Sequence, residues 1–215
     1  MSTRILSLHS AGAPPRVLTV GREEEYVATE HEQIVKLRDG AQVLVRPIRA
    51  DDKQALVEAL DRLSPESRYR RFLRPVTRLS ERELRYLTEI DYTSHFAWIA
   101  TDLDDESGLG VARYVRDPNE PEVAEAAVAI VDDYQGKGLG TILIRLLVAT
   151  ALENEIKVFR SWVLGENRQV LGPLERVGAR RTPDEGVLKA EVSLEEVFDG
   201  SSVQETLRAA ATGEF

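Results

Sequence analysis

The spacing of apolar and polar residues alternates along this chain between the pattern of strands and the pattern of helices, and it predicts where the secondary-structure elements lie. Two apolar-rich stretches between residues 34 and 46 flank Asp39-Gly40, which predicts a β-hairpin. Apolar residues then recur at helical spacing after Asp51-Asp52, one of which we expect to cap the helix, and Ser64-Pro65 should end it. Ser80 and Glu83 form a capping box that predicts a second helix.

The middle of the chain is typical of strands, at residues 96–100, 109–115 and 123–131. A glycine-rich loop at 135–141 precedes an apolar helix through residue 152, a strand at 158–164, a short helix at 168–177 and a last strand at 187–192. Gly172-Pro173 should kink or restart the short helix. We predict one mixed α/β domain at 34–194, an N-terminal arm at 1–33 that is irregular or adds strands, and an acidic tail at 195–215 that is helical or disordered.

Composition removes several classes of function. The 215 residues include no cysteine, which excludes disulfides, thiolate nucleophiles and zinc-thiolate sites. His9, His31 and His95 lie far apart, so we predict no metal. A net charge of −9 argues against nucleic-acid binding, and no apolar run approaches the roughly 18 residues of a membrane helix. The N-terminus lacks signal-peptide features, and we expect a cytoplasmic protein.

Three glycines at alternate positions, Gly136, Gly138 and Gly140, lie between a predicted strand and a predicted helix. Backbone N–H groups there, with the positive end of the helix dipole, can hold a phosphate. A tight turn without a ligand fits the glycines equally well. Thr141 follows Gly140 without the lysine of a Walker loop, and it stands where a dinucleotide fingerprint needs its third glycine.

The spacing that does fit is Gln/Arg-x-x-Gly-x-Gly/Ala, present at residues 135–140. It resembles the pyrophosphate-binding loop of the GNAT superfamily of acetyl-CoA-dependent N-acetyltransferases. Residues 45–52, 164–168 and 176–179 are also similar to that family, and the order of elements matches from residue 42 to 192. Residues 63–72, 87–92 and 110–117 resemble the acetyltransferase domain of bacterial Pat-type protein lysine acetyltransferases, without their fused regulatory module.

The resemblance implies a fold, a cofactor and its binding residues. The fold is α/β (α+β), with a mixed, mostly antiparallel central sheet that is splayed between strands 4 and 5, here residues 123–131 and 158–164, and flanked by helices. The cofactor is acetyl-CoA as co-substrate. The binding residues that the resemblance implies are Val128, Ala129, Ile130, Gln135, Gly136, Lys137, Gly138, Leu139, Gly140, Thr141 and Asn167. We expect Lys137 to be a mobile counter-charge for the phosphates.

One carboxylate, that of Glu125, is the candidate catalytic group. Glu125 interrupts an otherwise apolar strand, and the resemblance implies that it is the general base that takes a proton from the attacking amine. The alternative is a solvated strand-end glutamate beside Glu122. No general acid is identified, because Leu174 occupies the position at which many GNAT enzymes carry a tyrosine.

The implied function is acetyl transfer from acetyl-CoA to a primary amine, with a protein lysine as the acceptor. Two alternatives stay open, a small-molecule amine as acceptor and a catalytically silent acetyl-CoA sensor or interaction module. Glu125 favours an enzyme. The five arginines between residues 68 and 78 contact cofactor phosphates or an acidic protein substrate, or else they pair with the chain's own carboxylates. A homodimer is compatible with the sequence.

Overall fold

A computed structural model describes residues 31–214, so the expectations for residues 1–30 lie outside the described residues. The described residues form eight strands: β1 Gln33–Lys36, β2 Gln42–Pro47, β3 His95–Thr101, β4 Gly108–Arg116, β5 Val123–Ile130, β6 Val158–Val163, β7 Arg180–Asp184 and β8 Val187–Ser193. They make one sheet in the order β1-β2-β3-β4-β5-β6-β8-β7. Neighbouring strands are antiparallel except β5 and β6, which are parallel. The predicted mixed, mostly antiparallel sheet is confirmed.

Seven α-helices cover the two faces of this sheet within the described residues. They are α1 Lys53–Asp61, α2 Pro65–Phe72, α3 Glu81–Thr88, α4 Leu139–Glu153, α5 Arg168–Arg176, α6 Leu194–Val197 and α7 Val203–Thr212. Side chains alternate between faces along each strand. On β3, Phe96 and Trp98 therefore join the core beneath α4, whereas Ala97 and Ile99 join the core beneath α1 and α3.

The hairpin and the capping box form as predicted. Asp39 accepts a hydrogen bond from the Ala41 N–H at 3.1 Å, and Gly40 takes a positive φ of 90° in the turn between β1 and β2. Ser80 and Glu83 exchange the two hydrogen bonds of a capping box at the start of α3. Each of these motifs is local, because its residues are at most three positions apart.

The segment after α1 differs from the prediction. Ser64-Pro65 was expected only to end a helix, but Ser64 also begins α2, where its hydroxyl accepts the Ser67 N–H at 3.1 Å and Pro65 occupies the first helical position. The polar strand β7 was not predicted either. The helix α5 runs through Pro173, so of the two outcomes expected at Gly172-Pro173 a restart is wrong, and a kink stays a prediction.

The tail forms the helix α7, which resolves the choice that the sequence left between helix and disorder. Ser202 and Glu205 form a capping box at its start. Val203, Leu207 and Ala210 are buried in the same core as α4, and α7 packs against both α4 and β1. This last helix of the described chain therefore contributes to the main core.

Asp52 precedes α1 as predicted, but its side chain does not cap the helix. Its two carboxylate oxygens accept hydrogen bonds from the Arg46 guanidinium at 2.7 Å each, and one also accepts the Arg49 N–H at 2.6 Å. Arg46 and Asp52 are both buried. A bidentate contact between a guanidinium and a carboxylate is a strong and directional interaction. It holds the start of α1 against β2.

We expect Asp52→Ala to lower the free energy of unfolding by about 3–5 kcal/mol, because the change leaves the Arg46 charge buried without its partner. Denaturant unfolding followed by circular dichroism measures this loss. Asp51→Ala is the matched control, since Asp51 is exposed, and it should change the free energy of unfolding by less than about 0.5 kcal/mol. Equal losses in the two variants would contradict the role of the pair.

Candidate active site

The sheet opens between β5 and β6. Their parallel pairing covers three residue pairs and stops at Glu125 opposite Arg160. Beyond it, the Ser161 hydroxyl donates to the Ala126 carbonyl at 2.7 Å, and residues 127–130 continue to pair with β4 on the other side. The two strands therefore diverge from residue 126 onward, which confirms the predicted splay between the fourth and fifth strands of the family fold.

Val128, Ala129 and Ile130 lie along this opening. They pair with Ala112, Val111 and Gly110 of β4, and their other edge has no strand partner within residues 31–214. Val128 and Ile130 pack their side chains on the core beneath α4, whereas Ala129 lines a cavity on the opposite face. Apart from the Ile130 carbonyl, which accepts a hydrogen bond from the Gln135 side chain, the backbone groups on this edge are therefore open to hydrogen bonding by a ligand.

The glycine loop follows β5 and a short 3-10 helix, Asp132–Tyr134. Gly136 and Gly138 have φ of 75° and 95°, values that L side chains rarely adopt. The backbone N–H groups of residues 136–140 have no hydrogen-bond acceptor within the described part of the chain. Because α4 is 15 residues long and begins at Leu139, its dipole adds positive potential at the same place. The loop therefore has the donors and the positive potential that could hold an anion.

The other predicted loop residues have distinct surroundings. The Gln135 side-chain amide donates to the Ile130 carbonyl at 3.1 Å and to Asp132 at 3.2 Å, so it braces the loop against the end of β5. Leu139 is fully buried and offers a ligand only its backbone. Gly140 is half-buried in the first turn of α4, and Thr141 is exposed beside it.

Lys137 does not match the expected mobile counter-charge. Its ammonium lies 3.0 Å from the Asp39 carboxylate and 4.6 Å from the centre of the Tyr134 ring. The hydrogen bond from Lys137 lowers the pKa of Asp39. A long-range contact with the hairpin turn, which the sequence does not reveal, therefore holds this lysine.

Asn167 immediately precedes α5 and lies in a buried position, 6% exposed. Its backbone N–H donates to the Leu164 carbonyl at 2.9 Å. Its side-chain oxygen is buried and has no hydrogen-bond partner among residues 31–214. An unsatisfied buried acceptor is costly, and the N–H group of a bound ligand would satisfy it. Together with the unpaired loop N–H groups, Asn167 fits a ligand that carries both anionic groups and amides.

Glu125 is half-buried and faces the side of the sheet that carries α1 and α3. The register aligns His95, Val115 and Glu125 in one row across β3, β4 and β5. Burial lowers the pKa of Arg71 to about 10, and the Glu125 carboxylate opposes this shift. Burial raises the pKa of Tyr86, and Glu125 adds to that shift. Arg71 of α2 and Tyr86 of α3 thus belong to the electrostatic surroundings of the candidate base.

A buried polar cluster next to Glu125 was not found from the sequence. Arg113 is 2% exposed, and its guanidinium donates to the His95 ring at 2.9 Å and twice to the Leu87 carbonyl at 3.2 Å. A guanidinium only donates, so the Nε2 atom of His95 accepts and the ring proton is on Nδ1. Burial, with Arg113 beside it, lowers the pKa of His95 well below its usual value, so the ring is neutral. Arg113 within an otherwise apolar strand is the feature of the sequence that could have indicated this cluster.

A cavity of about 60 Å³ separates α1 and α2 from β4 and β5. Its walls are apolar side chains such as Leu56, Leu60 and Phe72, and Arg71 and Arg113 add positive charge. Burial, followed by the neighbouring Arg71, lowers the pKa of Arg113 to about 9, so both arginines are charged near neutral pH. This cavity lies on the same face as Glu125.

Three of the five arginines between residues 68 and 78 contact other groups of the chain. Arg70 pairs with Glu66 at 2.6 Å and Arg74 with Glu83 at 3.0 Å. Arg68 donates to the Leu63 carbonyl at 2.9 Å. These contacts favour self-pairing over contact with a partner for three of the five arginines.

Metal sites and membrane spans are two further classes of feature, and neither is found among the described residues. No group of three or more histidine, aspartate and glutamate side chains there could hold a metal ion. No helix within residues 31–214 has both the length and the apolarity needed to cross a bilayer.

Comparison with known proteins gives one family and several relatives. The protein-family model for the acetyltransferase (GNAT) family matches residues 57–178, more than half of the chain. Acetyltransferase PA5475 of Pseudomonas aeruginosa is 34% identical over 176 residues, which cover 79% of this chain and 93% of that protein.

Acetyltransferase Pat of Mycolicibacterium smegmatis is 31% identical over 192 residues, which cover 87% of this chain. The match spans 56% of the length of that protein. Among solved structures, the GNAT domain of S. lividans PAT superposes with a TM-score of 0.70 at 29% identity, covering 76% of this chain and 97% of that one. These matches agree with the resemblance carried by the sequence motifs.

Proposed function

This chain belongs to the GNAT family of acetyl-CoA-dependent N-acetyltransferases, and from that premise we propose that its acceptor is the side-chain amine of a protein lysine, with Glu125 as the general base. One observation carries the proposal. Glu125 is the last residue of β5 that pairs with β6, so its carboxylate stands where the sheet begins to open and on the face that holds the cavity. An amine that enters from that face meets the carboxylate at the end of the opening.

Bound acetyl-CoA would supply an activated acetyl group as a thioester. The loop N–H groups would hold its pyrophosphate, and the open edge of β5 would hydrogen-bond the amides of its arm. The buried oxygen of Asn167 would accept one further N–H group. The residues proposed for this binding are Val128, Ala129, Ile130, Gln135, Gly136, Lys137, Gly138, Leu139, Gly140, Thr141 and Asn167. For Lys137 we infer a fixed rather than a mobile role, because Asp39 holds it.

The role proposed for Glu125 follows from the chemistry of the acceptor. A lysine amine has a pKa near 10.4 and is protonated at neutral pH, so it must lose a proton before it can attack. The Glu125 carboxylate accepts that proton directly or through one water molecule. Arg71 lies on the same face, close enough for the Glu125 carboxylate to oppose the lowering of the Arg71 pKa by burial. The net charge of −9 also favours the approach of a cationic amine through solution.

A small-molecule amine is the second candidate acceptor, and the cavity beside Glu125 favours it. The cavity is small, largely apolar and lined by the positive charges of Arg71 and Arg113. Such walls suit a compact amine that also carries an anionic or carbonyl group, because a guanidinium donates several hydrogen bonds to such groups. In contrast, the flexible side chain of a protein lysine would have to reach only the entrance of the same cavity.

Incubation with acetyl-CoA separates the two acceptors. We expect mass spectrometry to show acetylated lysines in protein substrates and slower turnover of free polyamines, amino acids and aminoglycosides. Glu125→Gln, run in parallel, corrects for non-enzymatic acetylation. Faster turnover of any free amine than of every protein tested would favour the small-molecule acceptor. Binding of acetyl-CoA without any turnover would favour the silent sensor.

A further inference from the structure

A second cavity, of about 240 Å³, lies beside the glycine loop and away from Glu125. Its walls come from three places: the end of β1 with Lys36 and Arg38, the start of α4 with Gly138 and Thr141, and the end of α7 with Thr212. The α7 helix packs on β1 and α4, so it closes the cavity on the side opposite the loop. The family model matches neither β1 nor α7, since it covers residues 57–178.

Three cations line this cavity, and they differ in their partners. Lys137 is paired with Asp39 at 3.0 Å, which leaves little net charge on that pair. Lys36 and Arg38 form no ion pair with any residue between 31 and 214, although the whole chain carries a net charge of −9. Two exposed cations that have no carboxylate partner among the described residues make a local positive site.

Arg38 is also tied to the glycine loop. Its backbone N–H donates to the Lys137 carbonyl at 3.0 Å. Its side chain crosses Gly138, where Nε lies 3.3 Å from the position that a Cβ atom would take. The guanidinium therefore stands next to the unpaired N–H groups that begin α4, and the cavity extends from there toward α7.

We propose that Lys36 and Arg38 bind the 3′-phosphate of the CoA ribose, so that the β1–β2 hairpin selects CoA over its 3′-dephospho form. The inference rests on the proposed cofactor site. CoA carries a pyrophosphate and, one ribose away, a phosphate monoester with up to two negative charges. The loop N–H groups are donors for the pyrophosphate, and the hairpin cations are donors for the second anion. Guanidinium and phosphate form charge-assisted, two-pronged hydrogen bonds.

Calorimetric titration of CoA and of 3′-dephospho-CoA tests this assignment without any catalytic readout. We expect the unmodified protein to bind CoA at least about 10-fold more tightly than 3′-dephospho-CoA, the effect of one or two charge-assisted hydrogen bonds. Arg38→Ala should remove most of that preference while changing the affinity for 3′-dephospho-CoA by less than about twofold. Lys36→Ala should remove part of it. Arg82→Ala, at an exposed arginine on α3, is the matched control and should keep the full preference.

The other outcomes overturn the proposal in distinguishable ways. Equal affinity of the unmodified protein for both ligands means that the 3′-phosphate is not recognised. Equal weakening of both ligands by Arg38→Ala assigns that residue to the pyrophosphate instead. If Arg38→Ala lowers Tm but keeps the preference for CoA over 3′-dephospho-CoA, the Arg38 side chain stabilises the carboxyl end of α7, whose dipole favours cations, and does not bind the phosphate. If neither ligand binds the unmodified protein, the proposed cofactor site itself is wrong.

Discussion

Replacing Glu125 by glutamine is expected to lower kcat by about 10²–10⁴-fold, the usual contribution of a positioned general base. Glutamine keeps the size and shape of the side chain but cannot accept the proton as a carboxylate. The affinity for acetyl-CoA should stay nearly unchanged, because the proposed phosphate and amide contacts lie in the loop, along residues 128–130 and at Asn167. Turnover by the unmodified enzyme should rise with pH along one limb, and this limb should flatten in the variant.

Glu122→Gln is the matched control for that experiment. Glu122 is an exposed glutamate just before β5, and its carboxylate pairs with Lys157 at 2.7 Å. An exposed pair of this kind contributes little to stability, so the control should retain turnover close to that of the unmodified enzyme. Unmodified turnover in Glu125→Gln, with the same pH profile, would mean that the proton leaves by another route.

Gly138→Val is expected to abolish measurable acetyl-CoA binding. The loss of several charge-assisted hydrogen bonds should raise Kd by about 100-fold or more. A β-branched residue does not tolerate the φ of 95° at this position. The new Cβ atom would also stand 3.3 Å from Nε of Arg38 and obstruct the approach to the loop N–H groups. Calorimetry with acetyl-CoA measures the affinity, and circular dichroism shows whether the variant is folded.

Gly186→Val separates the loss of the site from backbone strain. Gly186 has a φ of 90° in the turn between β7 and β8, and a Cβ atom there meets nothing within 4 Å. This control should show a comparable strain cost but keep its affinity for acetyl-CoA. Undiminished affinity in Gly138→Val would show that the loop does not hold the cofactor.

The sequence predicted the features whose causes are local. The Asp39-Gly40 turn, the Ser80–Glu83 capping box and the alternate glycines each depend on residues within a few positions of one another. Asp52 shows the limit of that logic. It stands where a cap is expected, but its carboxylate bonds to Arg46, because two charges buried together must satisfy each other. The prediction was right about the position and wrong about the interaction.

The features that the sequence did not predict depend on residues far apart in the chain or on weak local patterns. Arg113 and His95 meet because β3 and β4 are paired, and each residue alone is an isolated polar position. Lys137 is fixed by a hairpin about a hundred residues earlier. Arg180–Asp184 has almost no apolar residues to indicate a strand, and it forms β7 because β8 supplies its hydrogen bonds. For Ser64-Pro65, the same dipeptide can end one helix and begin the next.

The short contact between β5 and β6 also bears on how the molecule loses its structure. Three residue pairs supply few backbone hydrogen bonds, so the two parts of the sheet, β1 to β5 and β6 to β8, also depend on side-chain contacts, among them the ion pairs of Arg160 with Asp117 and Glu120 and the burial of Phe159 in the main core. We expect segments joined in this way to open as separate cooperative units, each with its own free energy. A ligand that spans the gap binds both units at once, so it links their opening equilibria and makes the fold more cooperative.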